Sequence, residues 1–280
     1  IPLRLVGSEM CIRDSAKGQL RLANKVAIAT GAGSGLGRAT AMHFAKQGAS
    51  VACVDIDLDA ATETAALIDS MGGAALPLWA DIASPEANES MVAKTLERFQ
   101  RVDILFANAG IPHAGSVTST TIEDWNRVIA VNLTGVWLSN KAVLPTMIAQ
   151  GSGSIINQSS ISALAGFSGV AAYTAAKGGV ISLTRQAAVE YAGQNIRINA
   201  ICPGTVHTPL VTATYEQRGG AEMGKPLPLD EALAVTAAKY PLKRIGSVDD
   251  IAQMAIFLGS DESCWITGAI FPVDGGYTAA

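Results

Sequence analysis

Short apolar runs and longer segments of helical spacing alternate along the chain from about Leu20 onward. The runs are Val26–Thr30, Ser50–Val54, Ala74–Ala80, Asp103–Ala107, Ser154–Gln158, Ile196–Ile201 and Ala269–Val273. Between them, Gly35–Gln47, Leu58–Met71, Ile122–Gln150 and Tyr173–Ala192 carry apolar residues at helical periodicity. Near-continuous apolar strands separated by helices predict a parallel sheet covered on both faces. Right-handed crossovers then give an α/β, doubly wound Rossmann-type fold with seven parallel strands.

No linker rich in Pro, Gly or Ser divides the chain and no repeat is visible, so residues 20–280 are expected to form one domain. Residues 205–240 break the rhythm. They hold Gly219, Gly220, Gly224, Pro226 and Pro228, and an insertion of this kind predicts a lid over a binding site. Residues 1–19 mix charged, apolar and small residues without a period. They are read as a non-native or disordered leader; the rival reading is an arm that packs on a neighbour. No apolar core with a small-residue cleavage site is legible there.

Composition narrows the function classes. Of the 280 residues, 49% are hydrophobic and 16% charged, against ~25% charged in ordinary soluble proteins. Such a chain supports a large core and is not a disordered one. The formal net charge is −4 and the basic residues are scattered, which argues against a nucleic-acid surface or a polybasic membrane anchor. The stretch between Lys141 and Lys177 lacks any formal charge, but its Ser, Thr, Asn, Gln, Gly and Pro145 read as core and site, not as a membrane span. Four cysteines form no CxxC pair, and three histidines stand far apart without metal-ligand spacing. Buried thiols, a reducing compartment, a cytoplasmic location and no metal are the expectations.

Candidate chemistry begins at the glycine cluster Thr30-Gly-Ala-Gly-Ser-Gly-Leu-Gly37, between the first strand and a helix. Glycines there let backbone N–H groups approach a pyrophosphate, whose charge the helix N-terminus favours. The strict GxGxxG template fails, because Leu36 or Arg38 falls at its last position. The spacing is TGxxxGxG. Asp55 ends the second strand, where a carboxylate can accept from both hydroxyls of an adenosine ribose and would repel a 2′-phosphate. No Lys or Arg precedes Arg38 in the loop or directly follows Asp55, so NAD is favoured over NADP. Capping the next helix is the structural alternative for Asp55, although Asp57 or Asp59 suits that role better. Tyr173 and Lys177 lie one helical turn apart, with Ser160 just after the fifth strand. A phenol of ordinary pKa ~10 becomes a base near neutrality only if nearby positive charge stabilises its phenolate.

In this series the chain resembles the short-chain dehydrogenase/reductase family over essentially all of Leu20–Ala280. The matching motifs run in order: TGxxxGxG at Thr30–Gly37, Asp81, Asn108-Ala-Gly110, Asn132, Ser160, Tyr173 with Lys177, and Pro203-Gly204 followed by Thr208. The resemblance implies an NAD-dependent oxidoreductase that interconverts a secondary alcohol and a ketone. Tyr173 would be the general acid/base, and Lys177 would bind the nicotinamide ribose and lower the Tyr173 pKa. Ser160 would hold the substrate oxygen, and Asn132 would anchor a relay water. Ser159 is the weaker choice for the active hydroxyl.

The cofactor set implied is Thr30, Gly31, Gly33, Ser34, Gly35, Leu36, Gly37, Asp55, Ile56, Asp81, Ile82, Asn108, Ala109, Gly110, Tyr173, Lys177, Pro203, Gly204, Val206 and Thr208. Ala107 stands where many members have a second Asn. Substrate contacts are expected from Ile111, Ser162, Leu164, Phe167, Leu210 and Tyr215, with Met223 and Leu227 in the lid. His113 and His207 flank the cleft. Their mostly apolar character suits a moderately hydrophobic alcohol or ketone.

A polyol or sugar dehydrogenase and a 3-oxoacyl-carrier-protein reductase are the alternatives within the family. The second would need a basic docking face, and Val136–Gln150 carries only Lys141. From another class, a catalytically idle cofactor-binding scaffold is disfavoured by the intact Ser160, Tyr173, Lys177 and Asn132. A methyltransferase would need no Tyr-Lys pair. The family also implies a homotetramer, with a dimer as the alternative. The Ala- and Gly-rich Ala171–Ala188 would allow close helix approach across one dyad, and Ile266–Val273 would serve a second interface.

Overall fold

The computed structural model describes residues 20–218 and 228–280. The leader reading for residues 1–19 and the lid residues Met223 and Leu227 lie outside them. All seven strands join one parallel sheet of order β3-β2-β1-β4-β5-β6-β7. The strands are β1 (Val26–Thr30), β2 (Ser50–Asp55), β3 (Ala74–Trp79), β4 (Ile104–Ala107), β5 (Gly153–Gln158), β6 (Ile196–Pro203) and β7 (Ile270–Val273). This is the expected doubly wound Rossmann architecture. The two edge strands, β3 and β7, carry Pro77 and Pro272, where a missing N–H is tolerated.

Alternation along each strand builds two hydrophobic layers. Ile28, Ala52, Val54, Leu105 and Ile155 face one way. They pack against α3 (Pro85–Phe99), α5 (Gly135–Gln150) and α6 (Ala171–Tyr191) through Met91, Met147 and Val180. Ala27, Val51, Ile104, Phe106 and Ile156 face the other way. Their partners are α1 (Gly35–Lys46), α2 (Leu58–Ser70) and α9 (Val248–Gly259), through Phe44, Ile68 and Ile251. Because both faces are buried, the central strands β1 and β4 are apolar apart from Thr30, which is why they were legible.

Two of these helices escape the hydrophobic pattern. In α3 the inward face includes the polar Asn88 and Thr95. Asn88 is buried at 1% exposure because its amide donates to the Ile82 and Ser84 carbonyls, and its oxygen accepts from Ser139. The start signals were nevertheless in the sequence: Ser84 caps α3 ahead of Pro85, and Ser247 with Asp250 forms a capping box on α9. The predicted helix Ile122–Gln150 is α4 (Ile122–Ile129) running into α5 through one wide, π-helical turn at Ala130–Thr134. Asn132 sits in that turn.

Cys53 and Cys202 are buried and Cys264 is exposed. Burial pushes the Cys53 thiol up to about 12, as expected of an inert core thiol. Among the described residues no helix is long and apolar enough to cross a membrane, and no cluster of His, Cys, Asp and Glu could hold a metal ion.

Gly37 illustrates how tightly the first crossover is packed. A Cβ there would lie 1.9 Å from the Gly31 carbonyl oxygen and 2.8 Å from Asn108 Nδ2. Gly37→Ala is therefore expected to cost about 1–3 kcal/mol through forced backbone displacement. Thermal unfolding should show Tm lowered by roughly 3–10 °C; an unchanged Tm would contradict this packing.

Candidate active site

The sheet order reverses between β1 and β4, and a crevice opens at the C-terminal ends of those strands. Its centre is fixed by one side chain. Thr30 Oγ1 accepts from the Asn108 N–H at 3.0 Å and the Ala109 N–H at 3.1 Å. Asn108 Nδ2 donates back to the Thr30 carbonyl at 3.0 Å. Gly31 then turns with φ +67°, and a Cβ would lie 2.9 Å from Ala109 Cα. The chain enters α1 at Gly35 without any side chain capping its first turn, so the turn's N–H groups are left to face an anion.

A cleft of about 340 Å³ runs along this edge. Of the predicted cofactor residues it is walled by Gly31, Ser34, Gly35, Leu36, Asp55, Ile56, Asp81, Ile82, Asn108, Ala109, Gly110, Tyr173, Lys177, Pro203, Gly204, Val206 and Thr208. Thr30, Gly33 and Gly37 are not in the wall. Thr30 clips β1 to β4, Gly33 donates to Asp55, and Gly37 lets α1 pack on the loop. Asp55 Oδ2 accepts from the Gly33 N–H at 2.8 Å, and its Oδ1 accepts from Asp57 at 3.0 Å. Asp57, not Asp55, caps α2. Arg38 is turned away and bound to α2, through Thr64 at 2.9 Å and Glu63 at 3.1 Å. Lys177 is the one Lys or Arg in the cleft wall among the described residues.

These features fit a dinucleotide. Glycines keep the backbone bare, the uncapped end of α1 would hold the phosphates, and Asp55 would hold the adenosine ribose. Gln158 Oε1, buried in the cleft wall without a partner, offers an acceptor that the sequence reading missed.

A second cavity of about 350 Å³ adjoins the first. Ser160 and Tyr173 belong to both walls, with Pro203, Gly204, Leu210 and Val211. Ser162, Phe167, Leu210 and Tyr215 line the second cavity as expected. Ile111 borders the cofactor cleft instead, and Leu164 is 40% exposed and borders neither. His113 lines the second cavity with its Nε2 3.2 Å from Thr120 Oγ1, whereas His207 is exposed. Sequence reasoning missed Tyr277 in this wall, and it placed Lys239 and Tyr240 in the lid segment without singling them out. Tyr277 stacks on Phe167 with centroids 5.4 Å apart and meets Tyr240 at 5.2 Å. Only the fold brings these distant residues together.

The Tyr-Lys pair lies in the first turns of α6, where Val180 and its neighbours bury the helix on the sheet. Lys177 is 2% exposed; its Nζ donates to the Gln158 carbonyl at 2.8 Å and lies 5.8 Å from the Tyr173 ring centre. Burial lowers its pKa to about 8. Burial raises the Tyr173 phenol above its ordinary value, and a hydrogen bond with Ser160 opposes the rise. The depressed phenol expected from Lys177 is therefore not a property of the protein by itself. Ser159 Oγ donates to the Lys177 carbonyl at 2.8 Å, which leaves Ser160 as the hydroxyl facing the cavities. Asn132 spends its whole amide on one neighbour: Oδ1 accepts from the Ile111 N–H at 2.8 Å and Nδ2 donates to the Ile111 carbonyl at 2.9 Å.

A family model described as Enoyl-(Acyl carrier protein) reductase matches residues 31–278. The chain belongs to the short-chain dehydrogenase/reductase family. It is 41% identical over 259 residues to a cyclohexanol dehydrogenase of Acinetobacter sp., covering 91% of this chain and 96% of the relative. The crystal structure of a levodione reductase superposes with TM-score 0.88 at 36% identity, covering 93% of this chain and 100% of the other. A structure from Beutenbergia cavernae, described as a candidate NAD(P)-dependent gluconate 5-dehydrogenase with NADP bound at low occupancy, gives TM-score 0.84 at 35% identity. It covers 94% of this chain and all of that one. Membership makes this chain an oxidoreductase of the alcohol/ketone type, from a family that binds NAD(P).

The depressed Lys177 pKa sets a pH signature. Between about pH 8 and 10.5 the unfolded chain binds the extra proton, so stability from this site rises with pH across that window. Below it, the folded state bears a buried charge. Lys177→Met should therefore be most favourable relative to wild type at pH 7, with the Tm difference drifting toward wild type by pH 10. A difference independent of pH would contradict the burial argument.

Proposed function

We propose that the protein is an NAD-dependent dehydrogenase that interconverts an apolar secondary alcohol and its ketone, with Tyr173 as general acid/base. The observation that carries this reading is the shared wall. Ser160 and Tyr173 stand between a cleft whose residues fit a dinucleotide and a cavity with an aromatic wall. Groups bound in the two cavities would meet along a shared wall in which these are the two side-chain hydroxyls.

Preference for NAD rests on Asp55 and on Arg38, which is committed to α2, while Lys177 is the one Lys or Arg of the cleft wall among the described residues. The cleft residues would hold a nicotinamide dinucleotide, which would supply or accept the hydride. Ser160 donates to and orients the substrate oxygen. Tyr173, neutral at rest because burial lifts its pKa, gives its proton to a ketone oxygen in reduction and takes it back from the alcohol in oxidation. The Lys177 ammonium, held by the Gln158 carbonyl, lowers the cost of the phenolate form. Asn132 holds the Ile111 backbone and leaves the wide turn around it as the source of carbonyl oxygens for a relay water.

The aromatic wall of Phe167, Tyr240 and Tyr277 suits a flat or ring-shaped carbon skeleton. The cyclohexanol dehydrogenase relative, which its name ties to a ring alcohol, supports that choice. Residues 20–280 act as one catalytic domain in this reading. Exposed Trp137 on α5, Val189 on α6 and Trp265 before β7 support assembly through two faces, as in a homotetramer.

Initial rates of NAD+ and NADP+ reduction over cyclic and linear secondary alcohols test the proposal. Tyr173→Phe is expected to lose about 10²–10⁴-fold in kcat while NADH binding is retained. Residual activity within tenfold of wild type would remove Tyr173 from the proton transfer.

A further inference from the structure

We propose that the substrate carries a carboxylate and that Lys239 is the residue that selects it. This rests on the dehydrogenase reading above and refines it to a substrate class. Among the described residues, the wall of the substrate cavity contains no Asp or Glu, and Lys239 is its one formally charged side chain. No carboxylate among the described residues pairs with Lys239.

The lysine is also held in place. It is the last residue of α8 (Leu229–Lys239), and the next residue, Tyr240, is 3% exposed. Tyr240 Oη accepts from the Thr205 N–H at 2.7 Å and donates to Thr205 Oγ1 at 2.9 Å. This fastens the end of α8 beside Pro203 and Gly204, the residues shared by both cavities. Tyr215 Oη and Thr236 Oγ1 join α7 (Pro209–Arg218) to the same helix. The Lys239 backbone is thus anchored to the site, while its side chain stays exposed at the cavity wall.

A surface lysine often serves only to offset the dipole at a helix C-terminus. Here Lys243 already fills that place, donating from Nζ to the Ala238 carbonyl at 3.1 Å. The nearby acids are committed elsewhere. Asp250 pairs with Arg244 at 2.7 Å, and Asp274 accepts from Thr278 and the Gly276 N–H. Asp230 and Glu231 lie in the opposite, first turn of α8. Within the cavity, Ser162 Oγ is buried without a hydrogen-bond partner and adds an unspent hydroxyl. A cavity with aromatic walls and scattered hydroxyls, whose described residues supply one ammonium paired with no carboxylate, is complementary to a ring skeleton bearing one negative charge.

Cyclohexanol and 4-hydroxycyclohexanecarboxylate, as cis and trans isomers, form the test pair, with wild type, Lys239→Met and Lys239→Glu. Wild type should favour one carboxylated isomer by about tenfold in kcat/KM, equivalent to ~1.4 kcal/mol, mainly through KM. Added salt should shrink the preference. Lys239→Met should erase it, and Lys239→Glu should reverse it. A wild type that favours cyclohexanol over both isomers, or a preference that survives in Lys239→Met, overturns the proposal while leaving the dehydrogenase reading intact. If no alcohol is oxidised, that reading fails by itself. Calorimetric titration with cyclohexanecarboxylate then decides: about tenfold weaker binding to Lys239→Met supports the anion site, and equal or undetectable binding rejects it.

Discussion

The Thr30 hydroxyl holds together the place where the sheet divides. By accepting from two consecutive N–H groups after β4, it ties β4 to the end of β1 at the point where the chain turns opposite ways. Every cofactor-facing segment is measured from that clip. The glycine loop leaves β1 just past it, Asn108–Gly110 leave β4 through it, and Asn132 grips Ile111 immediately downstream. A threonine suffices because its short side chain offers one oxygen at the strand end without filling the crevice.

The second organising feature is electrostatic. Lys177 is buried between α6 and β5 with a single carbonyl partner and a pKa of about 8. An apolar residue there would make an easier core, since burying an ammonium carries a desolvation cost. The Tyr173 phenol beside it is displaced upward by the same burial. Two groups whose charged forms are both disfavoured, placed one helical turn apart at the junction of two cavities, are poised to exchange a proton once a bound ligand alters the local charge.

Most of this frame was legible in the residues. Strands buried on both faces are mainly apolar, so β1 and β4 stand out, although β1 ends in Thr30 and β5 buries Asn157 and Gln158, and the glycine spacing can serve few purposes other than bare backbone at a helix start. Asp57 as the cap of α2 was readable for the same local reason. What escaped the sequence was non-local or polar. Helix α3 buries Asn88 and Thr95, which break its apolar stripe but are satisfied by tertiary hydrogen bonds. Tyr277 reaches the substrate cavity from a segment that carries no motif, and Lys239 and Tyr240 from the end of the expected lid, because the cavity is made by the return of α8 and the C-terminal turn to the edge of β6. Leu164, apolar and close in sequence to Ser160, points to neither cavity.

The central claim is that the crevice takes a nicotinamide dinucleotide whose adenosine ribose lies against Asp55. Fluorescence titration of the purified chain with NADH and NADPH measures it directly. The account predicts at least tenfold tighter binding of NADH, because a 2′-phosphate would meet the Asp55 carboxylate while Arg38 is bonded to α2. Equal affinities, tighter NADPH binding, or no binding of either would contradict it.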